Sequence, residues 1–206
     1  MIRTLISNGL NTNLLYQEKI KTLLPLESFA KNTTEFNMKI FKTKFKNLLI
    51  IKSKSFKDNR GILRLTFDDR ILRKKFPFEY STISKKNVFR GFHLQTKFKQ
   101  AKFITVLKGE IIDYAYDLRR KSKTYGKCFK VILSDKNLRS IYIPEGFAHG
   151  YYVKKNDTLI YCKQSNFYRP KYEKCISWNN FKIKFPFKKP ILSKKDRETS
   201  SNGIFI

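Results

Sequence analysis

The run Ala101-Lys102-Phe103-Ile104-Thr105-Val106-Leu107-Lys108-Gly109-Glu110-Ile111-Ile112-Asp113-Tyr114-Ala115-Tyr116-Asp117-Leu118 holds two apolar, β-branched segments, 101–107 and 111–118, separated by three turn-forming residues. Segments this short and this rich in Ile, Val, Phe and Tyr read as strands, with Lys108-Gly109-Glu110 as the tight hairpin turn. From Asp113 to Asp117 the period of two puts both carboxylates on one face and both tyrosines on the other, as in a pleated strand between two environments. The pattern repeats in both directions: 46–51, 61–67, 78–84, 88–94, 128–133, 140–143 and 158–163 are similar segments, and 134–137 and 154–157 are polar turns. No long helical pattern interrupts them, so the chain from Met38 is expected to be all-β, a double-sheet roll. Residues 1–37 differ, with a helix-like piece at 16–24, a break at Pro25 and a polar run at 31–35. They read as an N-terminal extension (an arm, a tether or a mis-assigned start) ahead of a domain spanning 38–206.

The 206 residues are 41% hydrophobic and 15% aromatic, enough for one well-packed domain. No apolar run approaches the ~18–20 residues that span a bilayer and the start lacks a signal peptide's apolar block, so a cytoplasmic protein is expected. Lys and Arg number 45 against 16 Asp and Glu, a formal charge of +29 that points to an anionic partner. The lysines are scattered among many Asn, Ile and Phe, which favours compositional drift with a small anionic ligand over nucleic acid. Cys128, Cys162 and Cys175 fit neither a zinc motif nor a disulfide framework, and His93 and His149 are the only histidines, so reduced thiols and no metal site are expected.

Both histidines lie in strand-like segments beside glycine: Arg90-Gly91-Phe92-His93-Leu94-Gln95 and Tyr142-Ile143-Pro144-Glu145-Gly146-Phe147-Ala148-His149-Gly150. Arg90 and His93 are an odd number apart and share a face only if Gly91 bends the strand. An imidazole titrating near 6.5 is a natural proton carrier, although either histidine alone would pass as a satisfied core residue.

These two segments, with Phe56-Lys57-Asp58-Asn59-Arg60-Gly61, Gln100-Ala101-Lys102-Phe103, Gly109-Glu110-Ile111-Ile112-Asp113, Asp117-Leu118-Arg119-Arg120, Ser122-Lys123-Thr124-Tyr125-Gly126 and Leu192-Ser193-Lys194-Lys195-Asp196, resemble in order the dTDP-4-dehydrorhamnose 3,5-epimerase family. The resemblance runs from about Met38 to Asp196. It implies a cupin-type jelly roll with short flanking helical segments and a homodimer. It further implies a nucleotide-diphosphate sugar as substrate and no metal or redox cofactor. The implied reaction is inversion of carbon 3, and in the family also carbon 5, of a 4-keto-6-deoxy sugar, in deoxysugar biosynthesis for surface polysaccharide. By motif position, His93 is the implied base, Asp196 the carboxylate that orients it, and Lys102 the cation that stabilises the enolate. Arg60 and Arg90 are the implied diphosphate ligands, Tyr168 the aromatic on the base, and His149, Glu173 and Lys195 further ligand contacts.

Three departures qualify the resemblance. The family's proton-donating tyrosine is replaced by Cys162, with Tyr161 beside it; Leu65 replaces a glutamate; and Phe78 and Tyr80 replace a Gln-x-Asn pair that contacts ligand. The second acid is therefore Cys162, another donor with one centre inverted, or absent, and the alternative to an epimerase is a nucleotide-sugar-binding cupin without catalysis.

Overall fold

The computed structural model describes residues 38–181 and 183–199. The extension 1–37 and its expected helix lie outside them. Thirteen strands run in chain order: β1 Lys39–Lys42, β2 Leu49–Lys52, β3 Ser55–Asp58, β4 Gly61–Arg64, β5 Phe78–Ser84, β6 Phe89–Gln95, β7 Lys102–Lys108, β8 Glu110–Asp117, β9 Cys128–Ser134, β10 Arg139–Ile143, β11 Phe147–Val153, β12 Thr158–Gln164 and β13 Glu173–Cys175. Helix α1 (Asp69–Leu72) precedes β5 and α2 (Lys194–Glu198) closes the described chain. A six-stranded antiparallel sheet, β1-β2-β10-β7-β12-β5, faces a five-stranded one, β13-β6-β11-β8-β9, and β3-β4 form a separate hairpin. This is the expected double-sheet roll of the cupin class.

The strand alternation read from sequence accounts for two apolar layers. Between the sheets, Ile104 and Val106 of β7, Ile141 and Ile143 of β10 and Ile160 of β12 meet Ile111 and Ala115 of β8 and Phe147, Tyr151 and Val153 of β11. Each such side chain removed from water contributes roughly 1.5–3 kcal/mol. On the far side of the smaller sheet, Phe89, Phe92, Tyr114 and Tyr152 are covered by Ile176, Phe181, Trp178, Phe185 and Phe187 of the C-terminal segment. Asp113 and Asp117 point inward while Tyr114 and Tyr116 pack outward under that segment, the two environments their spacing required.

The segment read as 46–51 forms strand only from Leu49, because Leu48 N–H closes a turn onto the Phe45 carbonyl and Asn47 takes a positive φ of 65°, sinking Phe45 and Leu48 into the core. Residues 65–67 likewise lie outside β4, and β1, β3 and β13 are strands the pattern missed.

Candidate active site

The site is set by period-two positions on the facing sheets. From the larger sheet, Gln164 of β12 is in register with Lys102 of β7 on one side and Phe78 of β5 on the other, and one pleat further Cys162 stands opposite Tyr80. From the smaller sheet come His93 and Gln95 of β6, with Glu173 of β13 in register with Gln95. Between them lies a cavity of about 270 Å³ whose lining includes His93, Lys102, Tyr80, Gln164, Tyr168 and Glu173.

His93 reaches it through a local irregularity. Arg90 and His93 pair with Tyr151 and His149, three residues on β6 against two on β11, so β6 carries one extra residue. Gly91 makes this possible. Its φ is +118°, and a Cβ there would lie 2.6 Å from both Gly150 Cα and the His149 carbonyl. Phe89 and Phe92 consequently share the outer layer, and Arg90 and His93 share the inner face.

His93 Nε2 lies 2.7 Å from Asp196 Oδ1, whose carboxylate is almost fully buried. Asp196 belongs to α2, which is capped by Ser193 accepting from the Asp196 amide at 3.1 Å. Burial opposes the imidazolium, but the Asp196 hydrogen bond, the neighbouring Cys175 and the Asp196 charge outweigh it and raise His93 to about 9. Across the cavity Lys102 is buried, and its ammonium makes no hydrogen bond or ion pair among the described residues. Burial lowers its pKa, opposed by the more distant Cys162, Glu173 and Asp113. A cation held this way is an unsatisfied electrostatic donor aimed at whatever anion the cavity receives. Glu173 accepts from the Tyr168 hydroxyl at 2.8 Å and is ion-paired with Lys195. His93, Glu173 and Cys175 place potential ligand atoms within 4.8 Å of one another, yet Glu173 already holds Lys195, so a cation there would have to displace an ammonium.

The sequence model of the dTDP-4-dehydrorhamnose 3,5-epimerase family matches residues 42–202. The chain is a member of the dTDP-4-dehydrorhamnose 3,5-epimerase family. It is 38% identical to the Salmonella typhimurium dTDP-4-dehydrorhamnose 3,5-epimerase, over 77% of this chain and 92% of that one. The dTDP-6-deoxy-D-glucose-3,5-epimerase of Legionella pneumophila, solved in complex with dTDP-4-keto-L-rhamnose, superposes with a TM-score of 0.75 at 34% identity, covering 79% of this chain and 92% of that one. The Bacillus anthracis dTDP-4-dehydrorhamnose 3,5-epimerase, solved with TDP and PPi bound, gives a TM-score of 0.76 at 30% identity, covering 80% and 99%. Among the described residues no helix is long and apolar enough to cross a membrane.

In this epimerase-family chain, His93, Lys102, Tyr168 and Glu173 come together around the cavity, with Asp196 and Lys195 held directly behind them. The other expected site residues sit differently. His149 is buried beside His93, its Nε2 2.8 Å from Asp113 Oδ2, and does not line the cavity. Burial lowers its pKa against the pull of Asp113, so it is held neutral more than its partner strand's histidine. Cys162 is 3% exposed, a member of the inter-sheet core with Tyr80 opposite it, and it too is absent from the cavity lining. Arg90 is exposed, and its Nε donates to Ser84 Oγ at 3.2 Å. Arg60 caps the β3-β4 hairpin and pairs with Asp58 at 2.6 Å, outside the cavity.

Sequence reasoning missed Asp113 and Gln164. Asp113 was visible as an inward position of a strand, and Gln164 lies two residues beyond Cys162 on the same face; both are unusual as polar side chains in an apolar inner layer. Asp113 Oδ1 and Gln164 Oε1 are buried without a hydrogen-bond partner among the described residues.

Proposed function

We propose that the protein binds a dTDP-linked 4-keto-6-deoxy sugar in the cavity between the sheets and inverts carbon 3, with His93 as the base. The observation that carries this reading is the His93–Asp196 pair on one wall of the cavity and the unpaired Lys102 ammonium on the other. A proton on the carbon next to a ketone is removed when a base faces it and a cation takes up the charge that moves onto the ketone oxygen. His93 takes the proton, Asp196 holds the ring and the imidazolium, and Lys102 binds the enolate oxygen. The chemistry calls for neither a metal nor a redox cofactor, since the sugar's oxidation state is unchanged. With these groups in place, the reading of a binding-only cupin is not favoured.

Tyr168, 43% exposed at the mouth, offers a face on which a nucleobase stacks, and Glu173 and Lys195 fix its hydroxyl end. Arg90, three residues from His93 along β6, supplies a guanidinium for the diphosphate. Arg60 lies on an exposed hairpin that also shows Ile62 and Leu63 to solvent, and Ile40 and Phe41 of β1 are exposed as well. Apolar strands of this kind support the homodimer the family resemblance implies. Three free cysteines fit a cytoplasmic setting.

Incubation with dTDP-4-keto-6-deoxyglucose in heavy water tests the proposal: carbon 3 is expected to acquire deuterium, and His93→Asn to abolish it. A wild-type protein that leaves the sugar unlabelled refutes it.

A further inference from the structure

Inversion requires an acid on the face of the sugar opposite the base, and the residue expected in that role, Cys162, is buried beside another side chain and does not line the cavity. That side chain is Tyr80. It sits on β5 directly opposite Cys162 of β12, on the sheet facing His93, and its ring lines the cavity together with His93 and Lys102. We infer that the Tyr80 phenol is the acid that reprotonates the sugar, a tyrosine supplied from the neighbouring strand where the family's own donor position holds cysteine. The inference rests on the epimerase reading above and adds the second half of its reaction.

The geometry meets the demand of the chemistry. A sugar ring held between the two sheets has His93 on one face and Tyr80 on the other, the arrangement that converts proton removal into inversion rather than simple exchange. Gln164 Nε2 donates to the Tyr80 oxygen at 3.4 Å and the Cys162 thiol lies against the same hydroxyl, so the phenolate has a donor beside it when it forms. The substitution partner fits: cysteine at 162 is small enough to leave room for a ring from β5, and a tyrosine at both positions would place two phenols directly across from each other. Although 40% of the Tyr80 surface is accessible, its hydroxyl lies among Cys162, Gln164 and Tyr151, and burial followed by Cys162 raises its pKa above the ordinary value for a phenol, so it rests protonated. In the step, the phenolic O–H breaks, its proton bonds to carbon 3 using the enolate electron pair, and the ketone re-forms. The phenolate then takes a proton from water, and His93 returns its own to solvent.

Tyr80→Phe, checked for folding by circular dichroism and for dTDP binding by calorimetry, is assayed for both deuterium entry at carbon 3 and formation of the inverted sugar. The expected result is exchange that persists through His93 with inverted product falling at least about 100-fold, within the range for loss of a general acid. Inversion at the wild-type rate overturns the assignment while leaving the epimerase reading intact. Loss of inversion in Cys162→Ala with Tyr80→Phe unaffected returns the role to the thiol and likewise overturns it. A wild-type protein showing neither exchange nor inversion overturns the epimerase reading and the assignment together.

Discussion

His93 and His149 are register partners on adjacent strands, and each leans on a buried carboxylate of its own, Asp196 and Asp113. Two imidazoles on one inner face are thereby pushed apart in character. His93 is raised to about 9 by its carboxylate and by Cys175 against the cost of burial, while burial holds His149 low. Only the first of the two histidines lines the cavity; the second lies beside it on the neighbouring strand.

The pH profile follows from the first pair. In the proposed role of base His93 must be neutral, so kcat/KM is expected to climb with pH toward about 9. Asp196→Asn removes the main stabiliser of the imidazolium, moving this limb downward toward the ordinary value near 6.5 while lowering kcat by about 100-fold through loss of ring orientation. Because the folded pKa is raised, the pair's contribution to stability is complete below about 6.5 and lost as pH climbs through about 9. Thermal unfolding of wild type and Asp196→Asn across that window measures the difference; a gap that widens with pH would contradict it.

Lys102 sets function against stability. Its ammonium is buried without an ion-pair partner, so Lys102→Met is expected to raise Tm by a few degrees while reducing kcat/KM by about 100- to 1000-fold. Differential scanning calorimetry and steady-state kinetics on the same preparation decide it, and a destabilised variant would show that the ammonium is better compensated than its contacts indicate.

Gly91 is the hinge of the site. A Cβ at φ +118°, 2.6 Å from the neighbouring strand's backbone, has no side chain to push aside, so Gly91→Ala is expected to cost about 3 kcal/mol or more and to displace His93. Chemical denaturation gives the stability loss; unchanged stability would mean that β6 can flatten without penalty.

The second pair is structural. Asp113 and His149 are both buried, and Asp113→Ala leaves a ring nitrogen without its acceptor, for an expected loss of about 3–5 kcal/mol if the imidazole stays charged and less if it turns neutral. Urea unfolding at pH 5 and pH 8 separates the cases, with the larger loss expected at the lower pH.

In the proposed reading Glu173 acts on binding. Glu173→Gln frees Lys195 and loosens the Tyr168 hydroxyl, so the dTDP Kd is expected to rise about tenfold with the position of the pH limb retained. Calorimetry against dTDP measures the first and the pH profile the second.

Local pattern alone determined much of this protein. Alternation from Asp113 to Asp117 places Tyr114 under the C-terminal cover and Asp113 inside, because successive side chains of a pleated strand have no other choice. The ordered motifs likewise singled out His93, Lys102 and Asp196 as candidates, which the fold gathers at one cavity. What pattern could not give was juxtaposition. Asp196 meets His93 across 103 positions of chain because α2 packs against β6, and Arg90 joins the face of His93 because Gly91 adds a residue that Gly150 has room to receive. The same holds for Tyr80, which reads in sequence as a lost ligand contact. Only strand register, set by hydrogen bonds between segments some eighty residues apart, puts its ring opposite Cys162 and beside the cavity.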